Sequence, residues 1–412
     1  MERLIINIGL LANVRNNNEL LRGKALLQLP CIKDAYVHLK EDKIFAFGEM
    51  KNVPGVGDHQ SVINANGSYV LPCWCDSHTH LVFAASREEE FVNKIKGLSY
   101  ADIAAKGGGI LNSSNKLSAM PEDKLFELAL ERLNEIIRLG TGAVEIKSGY
   151  GLSVANELKM LRVIQRLKQQ SLIPIKVTFL GAHAYPLQYK NAHEDYIKLI
   201  VDEMLPNIAK ENLADYVDVF CEHGFFSVDE MKRVCEAGAK YGLKPKLHVN
   251  QLNSIGGINA AIELNAVSVD HLETMTEDDI LKLSNSETIG TLLPTAAYFL
   301  RMQYPPARKL IDANCAVALA SDFNPGSSPS GNMNNVVSMS CIQMRMLPEE
   351  AINAATINGA YAMELQDEVG SIMIGKKANL IFTKPISSLA YLPYAFGTNL
   401  IDKVMIDGDF VE

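Results

Sequence analysis

The chain has 412 residues, 48% of them apolar and 21% charged, with 48 acidic against 39 basic side chains and a net charge of −9. This composition excludes disordered, collagenous and low-complexity chains, and mild acidity without a Lys/Arg-rich run argues against a nucleic-acid or anionic-membrane surface. A small-molecule substrate is the expectation that remains.

The first stretch, residues 1–68, consists of short alternating runs. In AYVHLKEDKIFAFGEM a charged turn separates Val37 and Leu39 from Ile44 and Ala46, which is hairpin patterning. MERLIINIGLLANVRNNNE lacks a basic leader and a small-residue cleavage site and is too short to span a bilayer. Seven cysteines (Cys31, Cys73, Cys75, Cys221, Cys235, Cys315, Cys341) are scattered and odd in number, so they do not read as a disulfide framework and point to a reducing compartment. A cytoplasmic enzyme is expected.

From 69 to 370 the texture changes. Apolar runs of strand length alternate with longer segments of helical period, the pattern of repeated βα units. The strands are SYVLPCWCDSH, TGAVEIKSG, IKVTFLGAH, YVDVFCEHG, KPKLHVN, NAVSVDHLE, ETIGTLLPT and CAVALASDF, each largely apolar, as strands covered on both faces should be. Between them, Pro121 and Gly140 bracket a helix with Leu125, Leu128, Ala129, Leu133, Ile136 and Ile137 on one stripe, and Ser153 is placed to cap the next. Eight such units predict a (β/α)8 TIM-like barrel of the α/β class, with catalytic groups at the C-terminal ends of its strands. The last stretch, 371–412, returns to hairpin texture in ANLIFTKPI and KVMIDGDFVE. It should join residues 1–68 in a composite β-sandwich domain built from both termini, beside a catalytic barrel of residues 69–370.

Histidines are few, nine in all, and they gather where the predicted strands end: His78 and His80, then His183, His223, His248 and His271. Asp322 ends the eighth strand. Side chains alternate along a strand, so His78 and His80 project from one face and can reach one ion, while Cys73 and Cys75 point the other way. His-x-His alone is equally two polar residues at a strand end; joined by a third imidazole and a carboxylate at equivalent positions of one barrel, it reads as a metal site. The predicted ligands are His78, His80, His248 and Asp322, around one divalent or trivalent ion, Zn2+ or Fe3+. Such an ion lowers the pKa of its water from about 16 to near 7, which makes hydrolysis the natural chemistry. Asp322 is the candidate proton acceptor and donor. His271 either hydrogen-bonds the attacking water or developing oxyanion, or holds Asp322 in place.

Together, the segments DSHTHLVFAASREEEF, EIKSGYGL, FLGAHA, VDVFCEHGFFS, SVDHLE, LLPTAAYFL and ASDFNPGSSP resemble the amidohydrolase superfamily over nearly the whole chain, and within it the branch that acts in histidine degradation. The resemblance implies hydrolysis of a cyclic amide, 4-imidazolone-5-propanoate, to N-formimidoyl-L-glutamate, by a homodimer. It implies that Arg87 meets the substrate propionate through two parallel hydrogen bonds, although REEE also reads as a surface ion pair. It implies substrate contacts for Tyr150, His183, Asn324, Gly326 and Ser327, where the bare sequence DFNPGSS reads as a turn. Tyr100 and the glycines of KGGGI, 107–109, read as a cover for the pocket or as a plain connecting loop.

One position departs from many relatives: Gln251 in HVNQLN stands where they carry a proton-shuttling glutamate. An amide cannot shuttle, so Gln251 is expected to hydrogen-bond the substrate ring while proton transfer falls to Asp322 and His271. The same difference counts against deamination of nucleobases. The alternative retained is another cyclic-amide hydrolase or a deaminase of the superfamily. FCEHG offers no lysine to bridge a metal pair, and Lys147 is expected to pair with Glu145.

Overall fold

Residues 2–55, 61–98 and 108–411 are described by the computed structural model. Strands from the two ends of the chain share one sheet. Those from the beginning are β1 (Glu2–Ala12), β2 (Cys31–Lys40), β3 (Lys43–Glu49), β4 (Ser61–Asn64) and β5 (Tyr69–Pro72). Those from the end are β14 (Leu380–Thr383), β15 (Ile401–Ile406) and β16 (Asp409–Phe410). Their order is β16-β15-β14-β5-β1-β2-β3, with β4 on the other part of β1. The sheet is mixed: β1 runs parallel to β4 and β5, while the β1–β2, β2–β3, β5–β14 and β14–β15 pairs are antiparallel. The charged hairpin is present, with Leu39 opposite Ile44 and Lys40 opposite Lys43. Ile5, Ile8, Leu11, Val37, Leu39, Val70, Leu380, Phe382 and Met405 form its apolar core, each such side chain contributing about 2 kcal/mol by leaving water.

The second sheet is the barrel: β6 (Trp74–Thr79), β7 (Thr141–Lys147), β8 (Ile175–Ala182), β9 (Tyr216–Cys221), β10 (Lys244–Val249), β11 (Ser268–His271), β12 (Ile289–Leu292) and β13 (Val317–Leu319), paired in sequence order. Every neighbouring pair is parallel. Between β13 and β6 the ladder gives way to a bridge at Thr79–Phe323. There the Asp322 N–H donates to the His78 carbonyl at 3.0 Å, and the His80 N–H to that of Phe323 at 2.9 Å. Serine 153 caps the helix Val154–Gln170 by accepting from the Asn156 N–H. In the helix Glu122–Arg138, Phe126 is buried beside Leu125, Ala129, Leu133, Ile136 and Ile137, while Leu128 is only half-buried.

Two features differ from the sequence reading. The run SYVLPCWCDSH is two strands, because Cys73 N–H bonds Asn379 O in the terminal sheet and Trp74 N–H bonds Gly140 O in the barrel. One residue thus hands the chain over, and Tyr69–Pro72 belongs to the terminal sheet. The barrel interior also carries buried charges beyond the expected Lys147–Glu145 pair. Below the strand ends, Glu145, Lys147, Asp218, Lys246 and Asp270 are all fully buried. Lys147 Nζ lies 2.8 Å from Glu145, 2.9 Å from Asp218 and 3.6 Å from Asp270; Lys246 Nζ lies 3.0 Å from Glu145. Charges survive in such a place only when paired. No helix among the described residues is long and apolar enough to cross a membrane.

Candidate metal centre and substrate pocket

Buried histidines stand at or within one residue of the C-terminal ends of β6 (His78, His80), β10 (His248) and β11 (His271), and the turn after β13 brings Asp322 to the same point. His78 Nε2 lies 3.1 Å from His248 Nε2. Asp322 Oδ1 lies 3.7 Å from His78 Nε2 and 3.5 Å from His80 Nε2. Two overlapping groups have ligand atoms mutually within 4.8 Å: His78, His248 and His271, and His78, His80 and Asp322. The backbone is unusual here, with φ of +90° at His271 and +53° at Asp322, a strain that persists only where surrounding structure enforces it.

The hydrogen bonds behind the rings show what these nitrogens can bind. His78 Nδ1 lies 2.6 Å from Asp270 Oδ2, and His248 Nδ1 2.7 Å from Asp218 Oδ2. A carboxylate only accepts, so each Nδ1 is the donor and each Nε2 presents a lone pair. Asp218 also accepts the His248 backbone N–H at 3.0 Å, and Asp270 the Ser268 hydroxyl at 2.6 Å. Burial first, then nearby Lys147, holds the His78 and His248 imidazoles well below their usual pKa; burial and the neighbouring His248 do the same to His80. Two neutral imidazoles whose lone pairs face one another at 3.1 Å repel unless a cation lies between them, so this donor set fits a metal ion.

His271 differs. Burial works against its charge, but Glu273, 3.3 Å from Nδ1, together with Asp322, raises its pKa above the usual value. It is the one imidazole of the cluster whose charged form its neighbours favour. Burial pushes the Asp322 carboxyl up to about 7 despite His271 beside it.

Above this cluster lies a cavity of about 430 Å³. Its walls include His80, His183, His248, His271 and Asp322, and also Arg87, Tyr150, Gln251, Asn324, Gly326 and Ser327. Tyr100 and Gly107 lie outside the described residues. His223 is exposed and away from the site, because β9 stops at Cys221 and bridges Phe226 across a tight turn, leaving His223 at its tip.

The wall residues are held from behind. His183 Nδ1 lies 3.0 Å from Gly149 O, so Nε2 is the acceptor left over, and burial lowers its pKa to about 4. Its ring is nearly parallel to that of His80, centroids 5.4 Å apart. Tyr150, 97% buried and pushed above the usual phenol pKa by burial, stays a neutral donor. Buried Glu157 fixes the Tyr150 loop, accepting from the N–H groups of Gly149, Gly151 and Leu152 at 3.1, 2.7 and 2.8 Å. Gly149 has φ +114°, and a Cβ there would meet His183 Nδ1 at 2.9 Å, so only glycine fits without strain. Asn324 anchors the turn after Asp322, its Oδ1 accepting from Gly326 and Ser327 N–H at 2.8 Å each and its Nδ2 donating to Ser327 Oγ at 2.7 Å. Ser327 Oγ in turn donates to Asp322 Oδ2 at 3.4 Å. Glu222 secures the loop after β10 by accepting from Leu252 N–H and Asn253 Nδ2. The Gln251 amide, 8% exposed, faces the cavity.

Arg87 spends one edge on Glu90, with Nε 2.9 Å from Oε2; its Nη1 lies against Gly326. Asp218, Asp270, Glu157, Glu222 and Lys94 escaped the sequence reading. A lone acid inside an apolar strand, as in YVDVFC and SVDHLE, was the signal for the first two.

A model of the Amidohydrolase family matches residues 69–411, and the chain belongs to that family. It is 56% identical over 412 residues to an imidazolonepropionase of Flavobacterium johnsoniae and 54% identical over 412 residues to one of Christiangramia forsetii, each alignment covering 100% of both chains. Within the family the chain therefore belongs with the imidazolonepropionases. The solved structure of Escherichia coli guanine deaminase superposes with a TM-score of 0.74, covering 100% of this chain and 99% of its own at 15% identity, which concerns the fold alone.

Proposed function

We propose that the chain adds water to 4-imidazolone-5-propanoate, cleaving the ring amide to give N-formimidoyl-L-glutamate. The observation that carries this reading is the pairing, in one cavity, of a cation-fitting cluster at the floor with a guanidinium at the wall. His78, His80, His248 and Asp322 would hold one ion, zinc or iron, whose chemistry when bound is to acidify water and polarise a carbonyl.

The protein's own groups then divide the work. Asp322 takes a proton from the attacking water as its oxygen joins the ring carbonyl carbon, and returns it to the ring nitrogen when the carbon–nitrogen bond breaks. His271, held beside Glu273, donates to the oxygen on which negative charge develops. Arg87 binds the propionate, Tyr150 and His183 face the ring, and Gln251 hydrogen-bonds it without moving protons. Asn324, Gly326 and Ser327 line the cavity beside the ring and keep Asp322 aimed. This organisation uses residues 74–370 as the catalytic barrel, with 1–73 and 371–412 as its companion, since Tyr69–Pro72 pairs in the terminal sheet. We place the enzyme in the cytoplasm, consistent with seven unpaired cysteines, and take it to act as a homodimer.

The test is loss of imidazolone ultraviolet absorbance on mixing metal-replete protein with the substrate, beside dihydropyrimidines, hydantoins and cytosine. No turnover, or faster turnover of another ring, rejects the reading. Asp322→Asn should fold and lose turnover by about a hundredfold or more; near-normal rates would remove Asp322 as the proton carrier.

A further inference from the structure

The helix Glu88–Ile95 begins at Arg87 and carries a pattern the established roles leave unused. Arg87, Glu90 and Lys94 are spaced by three and four residues, so they lie on one helical face. Both Arg87 and Lys94 line the substrate cavity. The helix is seated by Phe91, which stacks on Phe299 with ring centroids 5.4 Å apart, and Lys94 Nζ lies 5.8 Å from the same Phe299 ring. Glu90, 9% exposed in its side chain, is engaged three ways: with Arg87, with the Gly109 N–H at 3.0 Å and with Asn112 Nδ2 at 3.5 Å.

Charge makes the consequence definite. Arg87 and Glu90 form a pair of net zero charge, which orients the guanidinium but offers a carboxylate ligand no net attraction. Lys94 has no ion pair or hydrogen bond to a described residue; burial, then Arg87, works against its charge, and Glu90 from further off supports it. An ammonium with no ion-pair or hydrogen-bond partner among the described residues, on a cavity wall beside a neutralised guanidinium, is a positive charge left for one negative group.

We propose that Lys94 is a second cation of the carboxylate subsite, supplying the net charge that recognises the substrate's propionate while Arg87, held by Glu90, supplies the directed hydrogen bonds. The inference rests on the imidazolone reading and deepens it. A carboxylate bound this way loses contact with Lys94 without any change at the reacting carbonyl, so the effect falls on KM and not on kcat.

Steady-state kinetics of Lys94→Gln and Lys94→Arg test this, on 4-imidazolone-5-propanoate and on its uncharged propanamide analogue. Lys94→Gln should raise KM for the acid about five- to twentyfold with kcat within twofold, a gap that narrows as salt is added. Lys94→Arg should restore most of the loss, and kcat/KM for the amide should stay within about twofold across the set. Unchanged KM for the acid in Lys94→Gln, with the wild-type protein active, overturns the role of Lys94 alone. Equal losses on acid and amide do the same, because they mark a shape effect. A wild-type protein that turns over neither overturns both this inference and the imidazolone reading.

Discussion

Asp270→Asn isolates the carboxylate that holds His78 without touching a ligand. The substitution keeps volume, and in the barrel interior it converts three buried carboxylates facing Lys147 and Lys246 into two, so the fold does not gain an uncompensated charge. What changes is the partner of His78 Nδ1, now 2.6 Å from an oxygen that can only accept. An amide in that place can turn its NH2 toward Nδ1, which shifts the ring proton to Nε2 and blocks the lone pair that faces His248. Carboxylates behind metal-ligating histidines are typically worth ten- to a hundredfold in metal affinity, about 1.4 to 2.7 kcal/mol. The expected outcome is a correctly folded variant, by circular dichroism and melting, whose metal dissociation constant rises by that factor in competition with a chromophoric chelator. Affinity within threefold of the wild type would refute the reasoning that Asp270 fixes the tautomer.

Asp322 should make the metal-free protein lose stability as pH rises, against the buried neutral imidazoles His78, His80, His183 and His248, whose lowered pKa values make stability rise up to about pH 6.5. Burial lifts the Asp322 carboxyl from 3.8 to about 7. The unfolded chain therefore gives up this proton first, and stability declines from about pH 4 to 7 by up to about 4 kcal/mol. Asp76, also lifted to about 7 by burial, adds in the same direction. Melts of the apoproteins at pH 5.5 and 8 should show the wild type losing about 2 kcal/mol more than Asp322→Asn over that interval; equal changes in both contradict this. Gly326→Ala places a Cβ 2.1 Å from Arg87 Nη1, while Glu90 restrains the far edge of the guanidinium. KM should rise about tenfold with kcat little changed, as kinetics on the acid substrate would show. Gly359→Ala sets a Cβ 2.4 Å from the Cys75 carbonyl oxygen in β6, a clash with backbone that costs about 1 to 3 kcal/mol and should appear as a lower melting temperature.

The barrel was readable because apolar runs of strand length, separated by helical stripes, leave few other ways to bury both faces. Strand alternation was enough to put His78 and His80 on one side. What stayed hidden depends on pairs far apart in the chain. Asp218 and Asp270 in isolation are merely acids in apolar strands; only the pairing of β9, β10 and β11 reveals which imidazole each one faces. Lys94 was nearer to hand, since Arg87, Glu90 and Lys94 have helical spacing, yet REEE also has the look of a solvated run. His223 failed for a local reason: a strand that ends at Cys221, two residues short of it, and turns back leaves that side chain outside at the tip of the turn. The strand at 68–78 failed because both sheets want the same extended backbone, and only hydrogen-bond partners reveal where one yields to the other.

The seam between β13 and β6 has a wider consequence. Elsewhere the cylinder is laced by ladders, but here the first and last staves meet at residues flanking His78, His80 and Asp322. An ion gripped by those three side chains is a rivet through the joint. Loading it should slow the parting of the first and last staves, and a protease probing the emptied protein should find its earliest cuts along that line.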